Sequence, residues 1–246
     1  MMKIFKAFLF LAIVVLAACS SNEKKEAEAQ DSLTNEMDTV GASQPADSTV
    51  AVAKTAVGLL DNPNTILVSC DAVGKISMDD TYEDIVSKAG KANMKQDSVF
   101  VKGVFQHTFV TKVWRGTAGE ITISWQESEQ PYKTIQNIIV DAPGSTYVTE
   151  NGIKLGSPMS LINKLNGKSF MLIGFSGQNA GTLMNFNGGN LITQIPCIRA
   201  VFELPKMKSY PKEVNAVLTP NIVQSNNVAF KIYDPLVKKL IINSKR

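Results

Sequence analysis

Histidine is almost missing from this chain of 246 residues: His107 is the single one. A Ser-His-Asp or Cys-His mechanism would have only that residue to use. It stands in Phe105-Gln106-His107-Thr108-Phe109, on a strand face or in a hairpin turn with no partner motif nearby, and reads as structural. The three cysteines, Cys19, Cys70 and Cys197, lie too far apart for zinc spacings. Neither a phosphate-cradling glycine loop nor a dinucleotide fingerprint is present. No metal and no cofactor is therefore expected. Charge of one sign is also scarce, since 25 Lys and Arg stand against 22 Asp and Glu. The lysines are scattered, as at Lys88, Lys91 and Lys95, rather than set in a stripe among stacking aromatics, which argues against a nucleic-acid partner.

A membrane-spanning run is missing too. The amino-terminal apolar segment from Ile4 to Val15 is interrupted by Lys6 and falls short of the about 20 residues a permanent span needs. The residues at its two ends carry a more specific signal. Lys3 and Lys6 give a positive start, and the apolar run ends in Leu16-Ala17-Ala18-Cys19. Small residues before a cysteine resemble a bacterial lipobox. The resemblance implies a signal peptide over residues 1–18, cleavage before Cys19, and acylation of that residue. Two or more acyl chains hold a protein stably on a bilayer. Ser20 and Ser21 come next, with no Asp directly after the cysteine. That resembles the Gram-negative pattern for sorting to the outer membrane.

Residues 19–56 read as the lipidated cysteine and an acidic tether. Between Ser20 and Val50, seven acidic residues face two lysines, and no aromatic residue occurs. Such a stretch buries too little apolar surface to offset the cost of ordering it. A flexible coil of this length reaches on the order of 30–35 Å, enough to hold a folded body clear of a membrane.

The remaining residues suffice for a core without staples. A weak repeat organises them: Gly74–Lys91 lies over 151–168 without gaps, matching Ile76 to Ile153, Ile85 to Ile162 and Gly90 to Gly167. Each copy reads as a short strand, a cap, a small helix and a glycine stop. Asp79 or Asp80 is the expected cap of the first helix. Ser157 is the expected cap of the second, with Pro158 at its first turn. Alternation predicts strands at 99–105, 107–113, 120–125 and 135–140. After the second helix it predicts strands at 170–175, 181–186, 191–195 and 198–204, and a last one at 236–242. The expected fold is α+β. It comprises two tandem units, 57–150 and 151–246, each with a short strand, a small helix and an antiparallel β-meander. The helices pack on one sheet face. This layout resembles the tandem repeats of β-lactamase inhibitor proteins and the small outer-membrane-assembly lipoproteins. Gly152-Ile153-Lys154-Leu155-Gly156 and the run from Leu165 to Phe170 resemble uncharacterised Gram-negative lipoproteins. The inhibitors' disulfides, one within each repeat, have no counterpart here.

Candidate sites are few. Cys70 and Cys197 are an even pair that permits a disulfide in an exported protein, or two buried thiols. Gly174-Phe175-Ser176-Gly177-Gln178 approaches a nucleophile elbow but lacks its last glycine and the following helix, so it reads as a strand ending in a turn. Asp79, Asp80, Glu83 and Asp84 complement a helix start rather than forming a calcium loop. Phe175, Gln178, Asn179, Asn185, Phe186, Asn187 and Asn190 form a polar-aromatic set at hairpin tips. It suits a glycan or a protein contact, or turn chemistry alone. The first functional reading is a non-enzymatic, outer-membrane-anchored lipoprotein that binds an envelope protein. The second is a glycan or small-ligand binder at those tips, and the third a cell-envelope hydrolase.

Overall fold

The computed structural model describes residues 65–100 and 107–245, all within one compact unit. The signal segment, Cys19, the tether, the start of the first repeat unit and the side chain of His107 lie outside the described residues. The fold is α+β. Strands β1 (Ile66–Val68), β2 (Ala72–Val73) and β3 (Ile76–Ser77) precede helix α1 (Tyr82–Ala89). A meander comes next: β4 (Met94–Phe100), β5 (His107–Val113), β6 (Ile121–Trp125) and β7 (Ile135–Val140), then β8 (Tyr147–Thr149). The second half holds helix α2 (Met159–Asn166), β9 (Met171–Ile173), β10 (Leu183–Asn185), helix α3 (Leu191–Gln194) and β11 (Ile198–Glu203). It ends with β12 (Ile222–Gln224), helix α4 (Val228–Ile232) and β13 (Leu236–Asn243).

β13 inserts between β11 and β7, giving the sheet order β11-β13-β7-β6-β5-β4. The halves therefore share one sheet, joined by antiparallel pairing of Leu240 with Val140 and Ile242 with Ile138. The small sheet β10-β9-β12 continues it through a bridge between Thr182 and Val201. Gly181 makes that seam: its φ is +74°, and a Cβ there would sit 2.0 Å from the Phe202 carbonyl oxygen. β1 pairs in parallel with β8, so the first strands are also held from mid-chain.

Both helices bury one face. Ile85 and Ala89 of α1 join Met159, Ile162 and Leu165 of α2 in one core with Ile121, Ile123, Ile138, Val140, Leu240 and Ile242. The repeat is visible in backbone bonding. Asp80 and Ser157, equivalent in the alignment, each accept with the side chain the N–H three residues back, from Ser77 and Lys154. The first helical N–H groups are also docked alike, Tyr82 on the Tyr132 carbonyl and Met159 on that of Pro235.

That use of Asp80 and Ser157 changes the expected caps. Thr81 caps α1 in a capping box with Asp84. Its hydroxyl and N–H both donate to Asp84, whose pKa lies below the usual carboxylate range for that reason. Asp80 instead accepts Lys88 Nζ at 2.7 Å. In α2 the Ser160 N–H is met by the carboxylate of Asp234, distant in sequence. A second correction concerns residues 191–195. The strand expected there is the short helix α3, because Leu191 and Ile195 are four apart and both face the core. The first meander strand begins at Met94 rather than Val99.

Tyr147 carries a pH prediction. It is 1% exposed, its hydroxyl donates to the Gly119 carbonyl at 3.0 Å, and burial pushes its pKa up to about 12. The unfolded phenol releases its proton first. The contribution is thus complete below the unfolded value of 10.0 and is lost as the pH rises from there towards about 12. Urea titrations from pH 8 upward should show stability falling from about pH 10, with a shallower fall in Tyr147→Phe.

Candidate functional site

The aromatic-polar tips do not come together. Gln178 and Asn179 occupy the β9–β10 turn, whereas Asn185 closes the other end of β10 and Asn187 and Asn190 follow it. Phe186 is 6% exposed and belongs to the core. Phe175 packs edge-on against Phe230, with ring centroids 5.8 Å apart. The amides have structural partners: Asn187 Nδ2 donates to the Ser169 carbonyl and Asn190 Nδ2 to that of Leu165. Asn185 Oδ1 accepts the Asn187 N–H. The residue organising this loop is Asn166, which sequence reasoning did not single out. It is fully buried, its Nδ2 donates to the carbonyls of Lys168 and Phe186, and its Oδ1 accepts the Leu191 N–H.

Cys70 and Cys197 are disulfide-bonded, with Cα atoms 5.6 Å apart. The 174–178 segment is a turn: Gly177 has φ +79°, and the Ser176 N–H donates to the Thr219 carbonyl. Among the described residues no group of three or more His, Cys, Asp or Glu is placed to hold a metal ion. Of the carboxylates at the start of α1, Asp80 pairs with Lys88 and Asp84 with the Thr81 cap.

Two surfaces have geometry suited to recognition. One is the face of the six-stranded sheet turned away from the helix-covered core. Registers place Ser124, Asn137 and Asn243 in one row across β6, β7 and β13, and Thr122, Ile139, Ile241 and Arg199 in the next. Lys112 extends the second row and pairs with Asp97 and Glu120. Asn243 is anchored by donation to the Cys197 carbonyl, while Asn137 Oδ1 is buried without a hydrogen bond among the described residues. An acceptor left so costs about 1–3 kcal/mol.

The other is a cleft of about 420 Å³ between the start of α1 and the loop before β7. Tyr82 and Tyr132 line it, 6.2 Å apart with planes inclined by 57°. Tyr132 stacks on the buried Trp125 at 5.4 Å, and Trp125 Nε1 donates to Thr111 Oγ1. The loop is held from below by Glu127, whose carboxylate accepts the N–H groups of Lys133 and Thr134. Burial acts to raise the Glu127 pKa, and those hydrogen bonds outweigh it, so the group lies below its ordinary value. A larger cleft of about 470 Å³ lies between α2 and α4. Its buried polar groups are spent on the fold, since Asn163 and Ser225 bond each other and Ser225 Oγ accepts the Phe170 N–H.

No protein-family model matches the chain, and no curated protein matches it. Among solved structures, it is similar to the uncharacterized protein yfeY from Escherichia coli. The two are 18% identical with a TM-score of 0.39, over 72% of this chain and 98% of that one.

Proposed function

We propose that this chain is a lipid-anchored outer-membrane protein of a bacterial envelope whose body is a non-enzymatic protein-binding module. The observation that carries this reading is the sheet face turned away from the core of α1 and α2, where Ile139 and Ile241 are half-buried and Arg199 is exposed. Its rows combine a satisfied amide, an unsatisfied buried acceptor and two half-buried isoleucines. Such a mixture is the make-up of a recognition surface with an apolar centre and polar fixing points. Disulfides persist in oxidising compartments, so the Cys70–Cys197 bond supports an exported protein. The lipobox-like Leu16–Cys19 and the acidic tether supply anchor and reach, which raise the effective concentration of the body near membrane partners. The repeated bonding at Asp80 and Ser157, with two units meeting at β7 and β13, supports kinship in architecture with tandem-repeat inhibitor-type modules.

Anchor and interface can be tested separately. Cys19→Ala should move the protein from the membrane to the soluble fraction of cells, and continued tight membrane association would contradict the anchor. In-cell crosslinking of the full chain should recover an envelope protein. Ile241→Arg should reduce that recovery by about tenfold, as expected when a charge is placed in an interface centre. Unchanged recovery from a folded Ile241→Arg variant would contradict the use of this face.

A further inference from the structure

The outer face of the six-stranded sheet is buried over β5 and β6 more deeply than its described neighbours explain. Val110 is 3% exposed, and Thr122 and Ser124 are buried as well. All three point away from the core, because they alternate with Val113, Ile121 and Ile123, which belong to it. Val110 is not part of that core, to which the four described α-helices contribute Ile85, Ile162, Leu191 and Phe230. On its own face Val110 lies between Asp97 and Ser124. Side chains on one sheet face flank each other and leave their tips to whatever lies above them. The burial fades across the sheet, since Ile139 and Ile241 are half-buried and Arg199 is exposed.

We infer that residues 50–60 of this chain, outside the described residues, seat on β5 and β6 of this face as a strap between tether and body. Pattern, entry point and length select that occupant. The run from Val50 to Leu60 is apolar but for Lys54-Thr55 and Gly58, unlike the acidic stretch before it. Ala53, Ala56, Val57 and Leu60 recur at helical spacing, with Lys54 off that stripe. The small Ala53 and Ala56 suit a close approach to Thr122 and Ser124. Asp61-Asn62-Pro63-Asn64 then supplies a turn into β1. β1 begins beside this part of the sheet: Ile66 pairs with Tyr147, whose hydroxyl reaches the Gly119 carbonyl in the β5–β6 turn. Residues 61–65 span up to about 16 Å. A helix over 50–60 is about 16 Å long, enough to follow β5 from Val113 past Val110. The strap leaves the half of the face over β13 and β11 free, so it does not depend on the protein-partner reading. It shortens the free tether to residues 20–49, with a reach of about 30 Å.

The test is brief trypsin digestion of the folded full chain, with the first fragments identified by mass spectrometry. Lys24 and Lys25 lie in the acidic stretch and Lys54 within the strap. Cleavage after Lys54 should be roughly tenfold slower than after Lys24 or Lys25, because a docked backbone must first be released. Leu60→Asp, which puts a charge on the apolar stripe, should remove that difference while cleavage after Lys164 on α2 stays slow, which shows that the body is still folded. Equal rates at Lys54 and Lys25 in the unaltered chain overturn the strap, as does a Lys54 rate unmoved by Leu60→Asp. A photo-crosslinker at Lys112, in the row of Thr122, identifies the occupant in a mixture of isotopically heavy and light chains. The expected adduct joins position 112 to residues 50–60 of the same chain. Adducts only to residues 101–106, adducts that join heavy to light chains, or no adduct overturn the assignment.

Discussion

Removing the Cys70–Cys197 bond, by reduction or by Cys70→Ser with Cys197→Ser, is expected to lower the unfolding free energy by about 3–5 kcal/mol. The bond closes a loop of 127 residues, for which the chain-entropy model gives about 5 kcal/mol at 25 °C. Its position adds to the effect. Cys70 lies just beyond β1, a strand of three residues, and β2 and β3 have two each. So small a sheet has few hydrogen bonds of its own. It is held by β8, by Lys245 on Asp71 at 2.6 Å, and by the link to Cys197 at the start of β11. With a urea m-value of about 1–3 kcal/mol per M, the midpoint should fall by more than about 1 M. A midpoint that does not move on reduction would show that the two cysteines are not bonded, and would remove one support for an oxidising location.

Asn166→Ala should be equally damaging. The substitution leaves the Lys168 carbonyl and the Leu191 N–H without their side-chain partner and takes one of two donors from the Phe186 carbonyl, which keeps the Gly189 N–H; each unmade buried bond costs about 1–3 kcal/mol. The expected loss is about 3–5 kcal/mol. Gly189, which packs so closely on Asn166 that a Cβ would lie 2.3 Å from its side chain, marks how tightly the loop wraps the end of α2. Gln178→Ala, at an exposed turn, should stay within about 0.5 kcal/mol. Denaturant melts of the two variants separate the readings of the Asn-rich tips. A near-normal Asn166→Ala protein would mean that these amides are not the loop's scaffold.

The contrast between these two residues shows what a sequence can carry. Period and punctuation place α1 and α2, because Ile85, Ala89, Ile162 and Leu165 recur at helical spacing and end at Gly90 and Gly167. Alternation places β7 and β13, whose pairing the repeat alone did not reveal. Long-range partners leave no local trace. Ser157 has the chemistry of a cap, yet its hydroxyl goes to Lys154 while Asp234 covers the helix start. Asn166 reads as an ordinary helix end, and its three partners come from two later segments. The cleft is assembled from α1, β6 and the loop before β7, so Tyr82, Trp125 and Tyr132 meet only after the sheet has folded. The tips show the same limit. Asn and Gly cluster there because the backbone turns, and the chain then spends their amides on itself.

Whether the folded body recognises an envelope protein through this sheet face, as proposed, is decided by site-specific photo-crosslinking in cells. The crosslinker is placed at Ile139 or Ile241 on that face, and at exposed Lys164 on α2 on the opposite side. One reproducible envelope-protein adduct is expected from both sheet positions and none from Lys164. Adducts from Lys164 alone, or none from Ile139 and Ile241 in membranes that contain the lipidated chain, would contradict recognition through this face.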